Sequence, residues 1–193
     1  MIFVISGPSG SGKTSLRDKL LEDQDLKSQL VKSISLTTRA MRPGENNKKD
    51  YFFVTEAEFK RKLKAEKILE WTKYLGYYYA TPKDSLDKQL RRGAHIVLCL
   101  DLKGALRVKR LYHKHAATIF ILPPSLKALR DRIQGRCPKT EKTEIDKRIK
   151  LARKELQACG DYDYCIENIN MQQAVKELKQ IVLQEIDKPI LAR

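Results

Sequence analysis

A chain of 193 residues with 41% hydrophobic and 7% aromatic side chains is long enough for one compact core and too short for a multi-domain machine. Its 39 Lys and Arg against 24 Asp and Glu leave a net charge of +15, which points to a polyanionic ligand or a solvated basic surface, with phosphates the first candidates. Recurrent Ile, Leu, Val and Tyr clusters exclude a disordered chain, and no apolar run approaches the roughly 18 residues of a membrane span.

The start, Met1-Ile2-Phe3-Val4-Ile5, lacks the charged leader of a signal peptide, so a cytoplasmic location is expected. The run Ile2–Ser6 reads as a strand, a glycine-rich loop follows, and Leu16, Leu20 and Leu21 recur at helical spacing within a helix expected over 14–30. The segment 33–92 differs in texture, being rich in Thr, Tyr and charge with weak periodicity, and reads as an insertion carrying a ligand site. Two continuously apolar runs, 96–100 and 118–122, flank a basic helix over 103–115, as inner parallel strands joined by a crossover would. Ser125 is a plausible N-cap for a helix bearing Leu126, Leu129 and Ile133, and further elements are a helix over 142–158, a short strand over 164–166 and a closing amphipathic helix over 172–186. Cys99, Cys137, Cys159 and Cys165 lack the short paired spacing of zinc ligands and are expected to be reduced, structural thiols.

Gly7-Pro8-Ser9-Gly10-Ser11-Gly12-Lys13-Thr14 fits G-x-x-x-x-G-K-[ST] between an expected strand and an expected helix. Such a loop wraps backbone amides around phosphate oxygens, while Lys13 reaches the outer phosphates and Thr14 can ligate magnesium, with Ser15 next in line. A nucleoside triphosphate with Mg2+ is the expected ligand. Ser35, Arg39, Arg42 and Tyr51 offer two guanidiniums and two hydroxyls, a suitable grip for a phosphate monoester dianion.

The run Ser33-Ile34-Ser35-Leu36-Thr37-Thr38-Arg39-Ala40-Met41-Arg42-Pro43-Gly44-Glu45, followed by Asp50-Tyr51-Phe52-Phe53, resembles the monophosphate-binding segment of guanylate kinases. The likeness continues through Ile68-Leu69-Glu70-Trp71, 76–81, Leu122-Pro123-Pro124-Ser125 and 132–136, and covers nearly the whole chain. The resemblance implies an α/β fold: a P-loop NTPase core with a parallel sheet flanked by helices, an inserted mixed α/β monophosphate-binding region and a helical lid. In these terms 1–193 is a single guanylate-kinase-like domain, with the core at 1–32, 93–124 and 151–193, the GMP-binding part at 33–92 and the lid at 125–150. The implied reaction passes the γ-phosphoryl group of MgATP to GMP or dGMP without a covalent enzyme intermediate.

By the same resemblance Glu45 and Tyr79 join Ser35, Arg39, Arg42 and Tyr51 at the GMP phosphate, Thr81 and Asp101 belong to the base site, and Asn168 lies near adenine. Glu70 is the expected guanine reader, since one carboxylate can accept from both N1–H and the N2 amino group. Lys13, Arg39, Arg132, Arg136 and Arg148 are the expected catalytic charges around the transferring phosphates. Where the family carries Asp-x-Asp, this chain has Cys99 two residues before Asp101. Water and Thr14 then suffice for the metal, Asp101 substitutes, or the enzyme is slow, and retained but reduced activity is favoured. Lid geometry is also left open, because Cys137-Pro138-Lys139 stands where the family has Gly and Glu. Three other functions compete: a catalytically weak binding module, a kinase with a phosphoribosyl acceptor, and nucleic-acid binding by basic helices at 60–67, 103–114 and 147–154. The last is disfavoured because no stacking aromatics interleave those runs. Expected partners are therefore GMP and ATP, with no membrane, and the chain is a monomer or homodimer.

Overall fold

The computed structural model describes residues 1–136 and 141–188, the side chain of Arg136 excepted. Five residues with no charge among them, Ile2–Ser6 (β1), are buried throughout and become the middle strand of a five-stranded sheet. Leu30–Lys32 (β2), His95–Cys99 (β7), Ala116–Leu122 (β8) and Tyr164–Glu167 (β9) complete it in the order β2-β7-β1-β8-β9, every pair parallel. Helices on both faces leave such a sheet no wet side, which is why the inner strands read as unbroken apolar runs. On one face Phe3, Ile5, Val97 and Ile119 pack against Leu16 and Leu20 of Lys13–Leu21 (α1) and Leu178 and Val182 of Met171–Asp187 (α7). On the other, Ile2, Val4, Ile96 and Leu98 pack against Leu86 of Lys83–Arg91 (α3) and Ala105 and Val108 of Leu102–Tyr112 (α4).

The segment of different texture builds a second, smaller sheet. Leu36–Thr37 (β3), Phe52–Phe53 (β4), Ile68–Tyr74 (β5) and Tyr77–Pro82 (β6) lie in the order β4-β3-β6-β5, mixed in direction, with Glu56–Lys64 (α2) closing a small core around Phe59. Apart from the buried β3, its strands are largely half-buried, which explains their weak apolar periodicity. Leu126–Arg136 (α5) and Lys142–Glu155 (α6) pair over a separate cluster of Leu129, Ile133, Ile145, Ile149 and Ala152. Ser125 caps α5 as expected, its Oγ accepting from the Ala128 N–H at 3.0 Å.

Two expectations are corrected. The helix expected over 14–30 ends at Leu21. Beyond it Asp23 accepts from the Asp25 N–H, and Lys179 of α7 grips both carboxylates, so local Asx-turn chemistry outcompetes helix continuation while Leu26 still reaches the core. Cys159 and Cys165 are joined in a disulfide rather than reduced: a 3-10 turn over Leu156–Asp161 folds the chain back and leaves their Cα atoms 6.4 Å apart. Cys99 is free, and Cys137 lies outside the described residues.

Candidate active site

The loop after β1 turns at Gly7, Gly10 and Gly12, all at positive φ. Gly12 has no substitute: a Cβ there would stand 2.3 Å from Asn168 Nδ2. Lys13 folds back over the loop and donates to the carbonyls of Gly7 and Pro8 at 2.5 and 2.8 Å, while Thr14 and Ser15 stand exposed at the first turn of α1. The loop and the second sheet face one another across a single cleft of about 1890 Å³, larger than the roughly 300–1,000 Å³ that one small ligand fills.

On the far wall Arg39 is 8% exposed and makes a two-pronged pair with Glu45, Nη1 to Oε2 at 3.0 Å and Nη2 to Oε1 at 2.9 Å. Glu45 also accepts from the Arg42 N–H at 2.8 Å. Burial alone would raise its pKa, but the Arg39 guanidinium and the Arg42 N–H outweigh that and hold the carboxyl below its ordinary range. Arg39 lies 5.5 Å from the ring of Tyr51, which meets Tyr79 edge-on at 6.1 Å. Ser35 and Arg42 also line this wall.

Glu70 on β5 is 4% exposed, and its Oε1 accepts from Thr81 Oγ1 at 2.5 Å. Burial pushes its carboxyl up to about 7, against the Thr81 hydrogen bond and with help from Asp101. The other oxygen rests on α4, where a Cβ at Gly104 would approach it to 2.7 Å. Asp101 faces the cleft but spends Oδ1 on capping α4, accepting from the Gly104 N–H at 2.9 Å.

From the α5–α6 side Arg132 reaches over the loop, donating to Gly10 O at 3.5 Å and Asn168 O at 3.3 Å. Arg148 is held by Glu144 one turn earlier and keeps its Nε buried without a partner. Cys99 ends β7 in the cleft, 3.9 Å from Lys13 O, and burial pushes its thiol up, so it carries no negative charge toward the loop.

Most of the expected site residues are therefore brought together, with clear exceptions. Asn168 is 1% exposed and does not line the cleft: its Nδ2 donates to Ser11 O at 2.7 Å, so it braces the phosphate loop from behind rather than facing an open base site. Pro8, Ser11 and Thr81 lie behind the lining, Thr81 acting through Glu70. The side chain of Arg136, and Cys137-Pro138-Lys139, lie outside the described residues.

Sequence reasoning passed over Gly104, Tyr74 and Glu155. A glycine in the first turn of a helix costs about 1 kcal/mol against alanine, and that signal of a close approach was legible at Gly104. Tyr74 and Glu155 had no such signal, because they reach the cleft only after β5 and α6 fold against the loop. The Tyr74 hydroxyl, buried and without a hydrogen-bond partner of normal geometry, is pushed up to about 12 by burial. Glu155 is pushed up to about 7 by burial, opposed by Lys13.

A strand–glycine loop–helix unit on a parallel sheet, opening on a cleft with a second cationic grip opposite, defines a P-loop phosphotransferase with room for two ligands. The guanylate kinase family model matches residues 1–185, and this chain belongs to the guanylate kinase family. Guanylate kinase of Wolbachia pipientis wMel is 40% identical over 185 residues, covering 96% of this chain and 90% of the relative. That of Caldanaerobacter subterraneus subsp. tengcongensis is 43% identical, with 96% and 87% covered. The crystal structure of guanylate kinase from Anaplasma phagocytophilum superposes with a TM-score of 0.80 at 33% identity, covering 97% of this chain and 87% of that one.

Proposed function

We propose that this protein is a cytoplasmic ATP:GMP phosphotransferase, passing the γ-phosphoryl group of ATP to GMP to give ADP and GDP. One observation carries this reading beyond family membership: the buried Glu70 carboxylate and the Arg39–Glu45–Arg42 grip occupy one wall of the cleft whose other wall is the phosphate loop. In this reading 33–92 holds GMP, 125–150 forms the lid, and the remainder is the core that holds ATP.

Guanine offers N1–H and N2–H to the ionised Glu70, and adenine, with an acceptor at N1, would leave a buried carboxylate unmatched. Ser35, Arg42, Tyr51 and Tyr79 take the GMP phosphate, with Arg39 set in place by Glu45. Lys13 leaves the loop carbonyls to meet the β and γ phosphates, and Arg132 and Arg148, with Arg136, spread charge over the group in flight. No side chain forms a bond to phosphorus, because the acceptor phosphate is itself the nucleophile.

The donors present fit magnesium: the exposed Thr14 hydroxyl and the carboxylates of Asp101 and Glu155 are hard oxygen ligands, directly or through water, whereas the neutral Cys99 thiol is not. The ion, when bound with ATP, neutralises the phosphate charge and orients the transferring group.

Coupled ADP release from MgATP with GMP, AMP, CMP, UMP and ribose 5-phosphate tests this reading, on the natural chain and on Cys99→Asp. GMP-dependent turnover with AMP inert is the expected result, with Cys99→Asp as fast or faster. Equal use of AMP, or silence of both proteins with GMP, overturns it.

A further inference from the structure

The +15 charge is not spread evenly, and the phosphate cleft accounts for only part of it. Helices α3 and α4 lie side by side on one face of the large sheet, with Leu86 and Leu90 from one and Leu102, Ala105, Val108 and Tyr112 from the other entering the same core, and Asp87 acting electrostatically on Tyr112. Their outer surface carries Lys88, Arg91, Arg92, Lys103, Arg107, Arg110 and, in the 3-10 turn after α4, Lys114, all exposed. None makes an ion pair among the described residues; Lys147, Lys150, Arg153 and Lys154 of α6 are unpaired as well, but that helix interleaves its cations with Glu144, Asp146 and Glu155. The acids on these two helices are Asp84, which pairs with Lys67, and Asp87. Compensation of helix C-terminal dipoles takes about half a charge per helix, so two dipoles leave most of this charge unanswered.

We propose that the α3–α4 face is a docking surface for the phosphate backbone of duplex nucleic acid, read without regard to sequence. Lys103, Arg107 and Arg110 follow the i, i+4, i+7 spacing of a single helical stripe, and Lys114 stands in the 3-10 turn just beyond it. Lys103 to Arg110 spans about 10 Å of helix axis, a length over which a duplex presents about six phosphate charges. Lys88, Arg91 and Arg92 lie on the neighbouring helix and broaden the stripe into a face. The large apolar side chains exposed elsewhere include Trp71 and Tyr77, but this face exposes only Leu111. With Tyr112 packed against the core, the described residues of this face expose no Phe, Tyr or Trp as a platform for unpaired bases, and one leucine is too little apolar surface to hold a membrane. The expectation that missing aromatics disfavour nucleic acid therefore applies to single strands and leaves duplexes open.

The test is fluorescence anisotropy of a labelled 20-base-pair duplex, as RNA and as DNA, titrated with the full-length protein between 50 and 200 mM KCl. Binding should weaken with salt, and the triple variant Arg91→Ala/Arg92→Ala/Arg110→Ala should lose about 3 from the log–log salt slope and at least tenfold in affinity at 50 mM. A control, Lys150→Ala/Arg153→Ala/Lys154→Ala on α6, removes the same charge elsewhere and should change neither quantity. Arg91→Lys/Arg92→Lys/Arg110→Lys should keep the slope, and GMP-dependent turnover should be unchanged in both α3–α4 variants. Absence of duplex binding at 50 mM, equal loss in the α6 control, loss in the lysine variant, or tighter binding to single-stranded poly(U) or to phosphatidylserine vesicles than to the duplex overturns the proposal.

Discussion

Glu70 concentrates the chemistry of specificity in one side chain. Only its ionised form accepts both guanine donors, and burial holds the group near about 7. The rate constant kcat/KM for GMP should therefore fall about tenfold per unit as pH drops below 7, a limb that a pH profile of Glu70→Gln should lack. The same shift has a stability sign. Because the folded pKa lies above the ordinary value of 4.5, the group favours the fold at low pH and that contribution is lost as pH rises through about 7. Glu70→Gln should accordingly melt several degrees higher than the natural chain at pH 8 while losing GMP activity, and a lower melting point would show that the carboxylate is not strained by burial. Gly104 sets where that carboxylate rests. Gly104→Ala places a Cβ 2.7 Å from Oε2, so kcat/KM for GMP should drop about 10–100-fold with KM for ATP unchanged, as steady-state kinetics with each substrate varied would show.

At the scale of elements, the α5–α6 pair carries a core of its own. Its cluster of Leu129, Ile133, Ile145, Ile149 and Ala152 is separate from the two cores of the large sheet, and Arg132 leans from it onto the phosphate loop. A cavity in that cluster should loosen the pair locally. Ile145→Ala is expected to cost about 2–5 kcal/mol of local stability, seen as faster amide exchange in α5 and α6 with β1, β7 and β8 unchanged, together with reduced turnover. Equal acceleration in the sheet would show that the pair does not open on its own.

For the molecule as a whole, the cleft lies between separately cored parts, the large sheet and the small one, so ligand binding couples to the stability of both. GMP at 100 times its dissociation constant should add about 2.7 kcal/mol and raise Tm by roughly 5–10 °C for a chain of this size, whereas AMP at the same concentration should leave it unmoved. A thermal melt with each nucleotide measures this directly, and an equal shift from AMP would remove Glu70 as the base reader.

What the sequence determined on its own was whatever depends on local order. The phosphate loop was legible because its glycines, Lys13 and Thr14 do their work as neighbours in the chain, and β1, β7 and β8 because a buried parallel strand writes itself as a continuous apolar run. Arg39 and Arg42 were legible as a phosphate grip for the same reason, whereas Glu45 came only from the resemblance and its pairing with Arg39 only from the structure. Helix α1 was overextended because Lys179, which holds Asp23 and Asp25 in their turn, is distant in sequence and invisible to periodicity. Only the tertiary structure decided that Asn168 braces the phosphate loop, that Gly104 seats Glu70, and that Tyr74 and Glu155 enter the cleft. It alone also decided that cations scattered over two helices form one unpaired face. Each depends on distances between elements far apart in the chain, and these are set by how the two sheets and their helices pack rather than by any spacing along the sequence.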